Sequence, residues 1–593
     1  TYAATLTTDA IALGGNLSGS GALTIQPKTN STTIGIGSAA SGTLSLDDAE
    51  LGRLVDGFTS ITIGSTTGTG AIAVAYTTPY TFLDPLTIRS NTSGGGAISA
   101  TSALNTGANS LTITTGGAVS TVAITSGTLA ITGTGITLNG DVTTSGTQSY
   151  TGAVTLGADV TLASTGNAST GNDISFSSTI NGAKAFTVNA GVGAITFNST
   201  IGATTNLTSL SLTTSHATGI TLSGNVTTTG SQTYNGKTVL AATPITLTTT
   251  NSDVSFGGTL NGNAASRALT IAAGTGNVTF TGAVGGVTPL GAVAITAATT
   301  TNSSTWVGSS TLGITGNAVI NGAISGITSL SISGTTSLGA NVTTTAVGGQ
   351  TYSGAVTITG SAVTLDSTSG NGPVLFSSTV NSAANVGNIA SAANPLTVTT
   401  GSGNVTFTGV VGGGTNGALG ALTVNTTGTT TFSAAVTAAS VTTNAGGTTA
   451  INGGTITTTG AQTYNDAVTL GAATTLTSSG SGNINLASTV NGAQTLTINT
   501  AGTTTFGGIV GGTTALTSIT TDAAGSLAIN GGAITTTGAQ TYNDGVTLGA
   551  ATTLSASSIT TGSTFNASTY AATLTTDAIA LGGNLSGSGA LTI

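Results

Sequence analysis

Apolar and polar residues alternate with a period of two along most of this chain. Around residue 176, the residues Ile174, Phe176 and Ile180 fall on one face, and hydroxyl side chains lie between them. Residues 278–284 repeat the arrangement. This period predicts β-strands rather than helices. The strands are short and end at Gly or Asn-Gly, residues that tolerate the left-handed backbone of sharp corners.

A short motif, Phe followed four positions later by an aliphatic residue, recurs along the chain. Phe176 and Phe197 carry neighbouring copies, as do Phe256 and Phe280. Their spacing, roughly 20–25 residues, predicts one copy per turn of a β-solenoid, with the stacked side chains forming a continuous inner core. The predicted core residues, with two tyrosines of a second motif, are Phe176, Ile180, Phe197, Ile201, Phe256, Leu260, Phe280, Val284, Phe376, Val380, Phe407, Val411, Tyr464, Phe506, Val510 and Tyr542.

The second motif is Gln, then Ser or Thr, then Tyr. Its tyrosines are Tyr150, Tyr234, Tyr352, Tyr464 and Tyr542. We therefore expect modules of about 80–120 residues within residues 140–554, each comprising several turns.

The first twenty-five residues return unchanged, because residues 569–593 repeat residues 1–25 at an offset of 568. Self-similarity at a fixed offset is the signature of a repeat architecture. The sequence therefore predicts that residues 1–593 are a window on a 568-residue tandem repeat, folded as one continuous solenoid.

These periods predict an all-β protein, a parallel β-helix (β-solenoid) of about 20–25 residues per coil and roughly 27 coils. The alternative is a string of immunoglobulin-like sandwiches, which fits the module length. It fits the rest less well, because such domains usually bury a Trp anchor and Trp306 is the only Trp. The short period of one coil also has no place in a sandwich.

Residues 44–64 depart from the strand pattern. They contain Asp47, Asp48, Glu50 and Asp56 around Arg53. We expect a protruding loop or a short helical turn capped by Asp47. The four acidic residues are weak candidates for a metal site, although solvated side chains paired with Arg53 are the simpler interpretation. No other metal site is predicted.

Composition narrows the range of functions. The chain has no Cys, 4% charged residues and a net charge of −9. Its 6 Lys and Arg residues cannot neutralise a run of phosphates, so we expect no nucleic-acid partner. No run of about 18 apolar residues occurs, so no membrane span is predicted.

The sequence lacks the usual patterns of catalytic and cofactor sites. His216 is the only histidine, and its counterparts in other modules are small residues, so neither a Ser-His-Asp triad nor an imidazole metal site is expected. Segment 230–238 has the wrong glycine spacing for a phosphate loop, and Ala467 and Gly545 replace its Lys237 in sibling modules. We therefore predict no catalytic residue, no cofactor and no enzyme.

Segments such as TTTGAQTYNDAVTLGAATTL and SGNINLASTVNGAQTLTI resemble the giant strand-repeat surface proteins of bacteria. These proteins are grouped with filamentous-haemagglutinin-like adhesins and autotransporter passengers. The resemblance spans nearly the whole chain and concerns a repeat style rather than an activity. It implies an extracellular, secreted β-helical stalk or adhesin at the bacterial cell surface.

The sequence thus predicts a non-catalytic structural protein, the shaft of an extracellular fibre, stalk or adhesin. Such a shaft would provide length and stiffness and mediate attachment or self-assembly. Its expected partners are copies of itself, in tandem and laterally, and cell-surface or glycan ligands. The alternative is a glycan- or surface-binding module that uses Thr- and Asn-rich strand faces.

Overall fold

The computed structural model describes residues 2–165, 172–383, 393–414 and 417–593. Thr1 of the repeated segment lies outside these described residues. So do residues 166–171, 384–392 and 415–416, which fall within the predicted ranges 1–593 and 140–554. The chain divides into two compact units, Thr1–Ala298 and Thr299–Ile593. A single continuous solenoid over residues 1–593 stays a prediction.

The helix α1 is Asp48–Leu51, and the remaining regular elements are strands. Strands β1 to β31 are, in order, Ala4–Thr7, Ala22–Gln26, Ile34–Ile36, Leu44–Leu46, Ser60–Gly64, Ile72–Val74, Leu86–Arg89, Ile98–Ala100, Leu104–Asn105, Leu111–Thr114, Ala118–Thr121, Ile124–Ser126, Leu129–Leu138, Val142–Thr144, Gln148–Leu156, Val160–Ser164, Ile174–Phe176, Ile180–Asn181, Ala185–Asn189, Ile195–Phe197, Ser209–Thr213, Ile220–Leu222, Val226–Thr227, Gln232–Asn235, Thr238–Leu240, Ile245–Thr248, Val254–Phe256, Leu260–Gly262, Arg267–Ala272, Val278–Phe280 and Leu290–Asn302. Strands β32 to β64 are, in order, Trp306–Val307, Thr311–Ile320, Ile324–Ile332, Thr336–Leu338, Val342–Tyr352, Val356–Ile358, Val363–Asp366, Val374–Phe376, Val380–Ser382, Leu396–Gly401, Val405–Phe407, Leu419–Thr426, Thr429–Phe432, Val436–Thr443, Thr448–Ile451, Thr455–Thr458, Gln462–Tyr464, Ala467–Leu470, Thr474–Ser478, Ile484–Leu486, Val490–Asn491, Thr495–Thr500, Thr503–Phe506, Ser518–Thr521, Ser526–Ile529, Ala533–Thr535, Ala539–Tyr542, Gly545–Leu548, Thr552–Thr561, Phe565–Asn566, Ala572–Leu581, Leu585–Ser586 and Leu591–Thr592.

Each unit is a parallel β-solenoid, and the described residues together make about 27 turns. A strand pairs in parallel with strands one turn earlier and one turn later. Val405 of β42, for example, is in register with Val374 of β39 and with Thr430 of β44. The prediction of an all-β parallel solenoid is confirmed. The immunoglobulin-like alternative is excluded for these residues, because its sheets are antiparallel.

Turn length varies more widely than the sequence predicted. Ile124 is in register with Val142, so the turn between them is shorter than expected. Leu23 is in register with Ile61, and that turn is much longer because it also contains β3, β4 and α1. The parallel ladder fixes which residues lie above one another but leaves the length of the connecting loops free.

The inward side chains of each unit form stacked files. In the first unit, the Phe176 ring lies between Tyr150 and Phe197, at centroid distances of 4.9 and 5.1 Å. In the second unit, the Phe407 ring lies between Phe376 and Phe432, at 5.0 and 5.4 Å. These distances follow the spacing of the rungs, about 4.8 Å. All sixteen predicted core residues are at most 1% exposed.

A buried hydrogen bond explains the Gln-x-Tyr motif. In all five copies the Tyr hydroxyl donates to Oε1 of the Gln two residues earlier, at 2.9 Å. The Gln amide in turn donates to main-chain oxygens, as Gln462 does to Ile456 and Thr477. Burial raises the pKa of all five tyrosines. The pairing matters because a buried hydroxyl without a partner costs about 1–3 kcal/mol.

The repeated segment adopts one register in both places. Ala4 is in register with Leu23, and Ala572 with Leu591, residues related by the same offset of 568. The two copies differ in which of their strands is covered by a neighbouring strand outside the repeated segment. Leu23 is fully buried against β5, whereas Leu591 is 40% exposed. Ala572 is buried against β60, whereas Ala4 is exposed.

Replacing Phe407 by Ala should leave a gap in the aromatic file and lower the local free energy of unfolding by about 3–5 kcal/mol. Amide hydrogen exchange should show the loss of protection in β42 and its neighbours, because each turn contacts only adjacent turns. The matched control is Thr406→Ala on the outward side of the same strand, with a change within about 0.5 kcal/mol. Equal losses in both variants would contradict the inward placement of the aromatic file.

Candidate functional site

The acidic segment 44–64 uses its carboxylates to hold a local turn together. The Glu50 N–H donates to Asp47 at 2.7 Å, and the Asp47 N–H donates to Glu50 at 3.0 Å, forming a capping box at α1. The Leu13 N–H donates to the other Glu50 oxygen at 2.8 Å. Glu50 and Leu51 are buried, and strands β4 and β5 form the ends of the segment. Only part of it is therefore the loop or helical turn expected.

Asp48 bonds to neighbouring turns of the first unit. Its carboxylate accepts from the N–H groups of Ser38, Thr77 and Thr78 at 2.8, 2.9 and 3.2 Å, and from the Thr77 hydroxyl. The hydrogen bond from the Thr77 hydroxyl is the largest cause that lowers the pKa of Asp48 to about 2. The carboxylate thus acts as an acceptor for backbone amides.

Asp56 lies apart from the capping box, on the surface. It is close to Asp84, which the sequence did not single out. Burial, and to a smaller extent the charge of Asp56, raises the pKa of Asp84. Within the described residues, no group of three or more metal-ligating side chains occurs. The four candidates Asp47, Asp48, Glu50 and Asp56 therefore do not form one ligand set.

Added Ca²⁺ or a chelator should leave the melting temperature of the chain unchanged, because backbone amides occupy the carboxylates of Asp47, Asp48 and Glu50. Asp48→Ala should lower the melting temperature, because three N–H groups lose their acceptor. Asp56→Ala, on the exposed carboxylate of the same segment, is the control and should cause no loss. A calcium-dependent rise in melting temperature that Asp48→Ala abolishes would contradict this structural role.

Two buried carboxylates lie in the turn after the Gln-x-Tyr motif. Asp466 and Asp544 are both 1% exposed. Each accepts one main-chain hydrogen bond at 2.8 Å, from Gly447 and Gly525 respectively. Burial is the largest cause that raises the pKa of each carboxyl. The patterns described above do not single out these two residues; the recurrence of Tyr-Asn-Asp in two successive modules is the one signal in the sequence that could have found them.

These two groups predict a stability that falls as the pH rises. A raised folded-state pKa favours the protonated form, so the stabilisation is complete below the unfolded pKa of about 3.9 and is lost as the pH passes the folded-state value. The contribution of these two carboxyls to the melting temperature should therefore fall as the pH rises above about 4, the unfolded pKa. The pKa values of Asp9 and Asp48 are lowered to about 2, so the contribution of these two carboxylates to stability changes only below about pH 4.

The variant carrying both Asp466→Asn and Asp544→Asn should have a shallower slope than the wild type, since Asn keeps an acceptor for the Gly N–H and does not ionise. Asp84, whose pKa burial also raises, keeps its own part of the pH dependence in this variant. Thermal unfolding followed by circular dichroism measures the change. Asp577→Asn, on an exposed strand position, is the control and should keep the wild-type slope. A slope unchanged in the double variant would refute the assignment.

His216 closes a turn of the first unit. Its backbone N–H donates to the Thr214 hydroxyl at 2.9 Å, and its ring Nδ1 accepts from the backbone N–H of Thr218 at 3.1 Å. The imidazole thus acts as a local hydrogen-bond acceptor for the backbone of this turn.

The outward strand positions carry files of hydroxyl groups in strict register. In the first unit one ladder runs over six rungs: Thr161, Thr187, Ser211, Thr233, Ser255 and Thr279. In the second unit another runs over six rungs: Thr455, Thr475, Thr497, Thr520, Thr541 and Thr560. Their members are partly or fully exposed. Each ladder presents donors and acceptors at intervals of about 4.8 Å.

Comparison with known proteins identified no matching family model, no matching curated protein and no matching solved structure. No helix in the described part of the chain is long and apolar enough to cross a membrane.

Proposed function

We propose that this chain is a non-catalytic structural protein, the shaft of an extracellular fibre, stalk or adhesin on a bacterial surface. The observation that carries the proposal is the parallel, rung-on-rung register with buried inward files in both units. A solenoid gains length in proportion to its number of turns, and hydrogen bonds along its axis give it stiffness. The resemblance to strand-repeat surface proteins supports the extracellular location.

The repeated segment supports continuation by further copies of the sequence. Leu591 and Ile593 repeat Leu23 and Ile25, which are fully buried. A following copy would place the equivalent of β5 against them in the register seen for Leu23 with Ile61. We therefore propose a head-to-tail array of 568-residue units.

Copies of the shaft are also proposed to associate laterally. Only 4% of the residues are charged, so like-charge repulsion between neighbouring shafts is weak. The outward hydroxyl ladders offer hydrogen bonds without the desolvation cost of buried charges.

The hydroxyl ladders favour a second function, binding of cell-surface glycans. A flat face that repeats donors and acceptors at each rung matches the repeated hydroxyl groups of a polysaccharide. In this alternative the outward Thr and Asn side chains carry the function, and the buried files serve only to hold them in register.

Electron microscopy of chains carrying one, two and three tandem 568-residue copies tests the shaft. We expect unbranched rods of constant width, with each copy adding about 130 Å, the product of about 27 turns and about 4.8 Å per rung. Tandem copies that appear as separate beads on flexible linkers would refute the proposal. Chains with the hydroxyl ladder of the second unit replaced by Ala serve as the control, because their rods should keep the same length.

A further inference from the structure

A groove lies on one outward face of the first unit, with a volume of about 460 Å³. We call it the Lys237 groove. Thr221 and Val239, in register on β22 and β25, form its floor. The turns at residues 217–218 and 287–288 also line it. Asn261 fixes the second turn, because its side-chain oxygen accepts from the N–H groups of Val287 and Thr288 at 3.0 and 3.3 Å.

One of the six cationic residues of the chain lines this groove, and a second bonds to a lining residue. Lys237 lines it, and its ammonium donates to the Ala217 carbonyl at 3.0 Å. Arg267 donates through Nε to the side chain of Asn263, another lining residue, at 2.8 Å. Both hydrogen bonds go to neutral oxygens, and the residues that line the groove include no Asp or Glu. The groove therefore carries positive charge on a chain whose net charge is −9.

The fold itself does not require a cation at position 237. The residue three positions after the motif tyrosine is Lys237 in this module, but Ala467 and Gly545 in two later ones. Both of those residues begin strands, β49 and β59, in the same parallel ladder arrangement. Lys237 is thus an individual feature of one module among similar turns.

The lining chemistry distinguishes between classes of ligand. The floor strands β22 and β25 are paired on both sides, so a peptide finds no free edge for strand addition. Two separated cations are too few for a nucleic-acid backbone. The hydroxyl and amide groups of Thr218, Thr221 and Asn263 suit sugar hydroxyls. Val287, 82% exposed at the rim, offers an apolar contact for the C–H face of a sugar ring.

We propose that the Lys237 groove binds an acidic saccharide, one whose sugar rings carry carboxylates that pair with Lys237 and Arg267. This inference rests on the second function proposed above, glycan binding by outward strand faces, and specifies its site and ligand class. Isolated cations match the isolated carboxylates of such a polymer, whereas the neighbouring hydroxyls and amides bind the rest of each ring.

Titration calorimetry of the full chain with a hexamer of galacturonic acid tests the proposal, with a hexamer of galactose as the neutral probe. We expect saturable binding of the acidic hexamer that weakens with added salt, and much weaker binding of the neutral one. Lys237→Ala should weaken binding by up to about fivefold, the effect of losing one exposed ion pair. This variant should fold, because Ala467 occupies the corresponding position. Lys28→Ala removes an exposed cation outside the groove and should bind as the wild type does.

Absence of binding, equal binding of the two hexamers, or equal affinity of wild type and Lys237→Ala would each overturn the proposal. Electron microscopy of the same samples keeps this result separate from the shaft. Rods that do not bind the acidic hexamer would refute the groove alone, and binding by beaded particles would refute the shaft alone.

Discussion

The hydrogen bonds between successive parallel turns determine where each side chain of this protein lies. In parallel register a residue stacks on its counterpart one turn away, so Phe lies over Phe inside and Thr over Thr outside. A slip of one residue would turn an entire inward file toward solvent. The aromatic files and the hydroxyl ladders are therefore two results of one constraint, and neither can change without the other.

Buried polar groups make the register specific. Aliphatic rungs resemble one another closely, so a strand of Val and Ile could shift by a whole turn at little cost. A shifted Gln462 would lose its hydrogen bond to the Thr477 carbonyl of the next turn, and its buried amide would have no water to replace that partner. Asp466, held by the Gly447 N–H, acts in the same way. The cost of mispairing, rather than the strength of each bond, gives these residues their structural importance.

Structural features that occur only once in the chain lie where one module differs in sequence from the other modules. The regular faces repeat the same hydroxyl and amide chemistry from turn to turn, which suits a shaft whose properties are uniform along its length. The capped helix α1 and the Lys237 groove interrupt that uniformity at single places. A repeat fold allows such departures because each turn contacts only its neighbours, so a local change does not disturb distant turns.

The sequence by itself determined the fold class, the inward residues such as Phe176 and Phe407, and the capping of a helical turn by Asp47. These follow from local rules, because the direction of a side chain along a strand and the needs of a helix end depend on adjacent residues. Only the tertiary structure decided that Asp48 bonds to Thr77, that Asp466 and Asp544 are buried, and that Arg267 bonds to Asn263, which lines the same groove as Lys237. Those contacts join residues on successive turns, and loops of variable length set which residues meet when one turn stacks on the next.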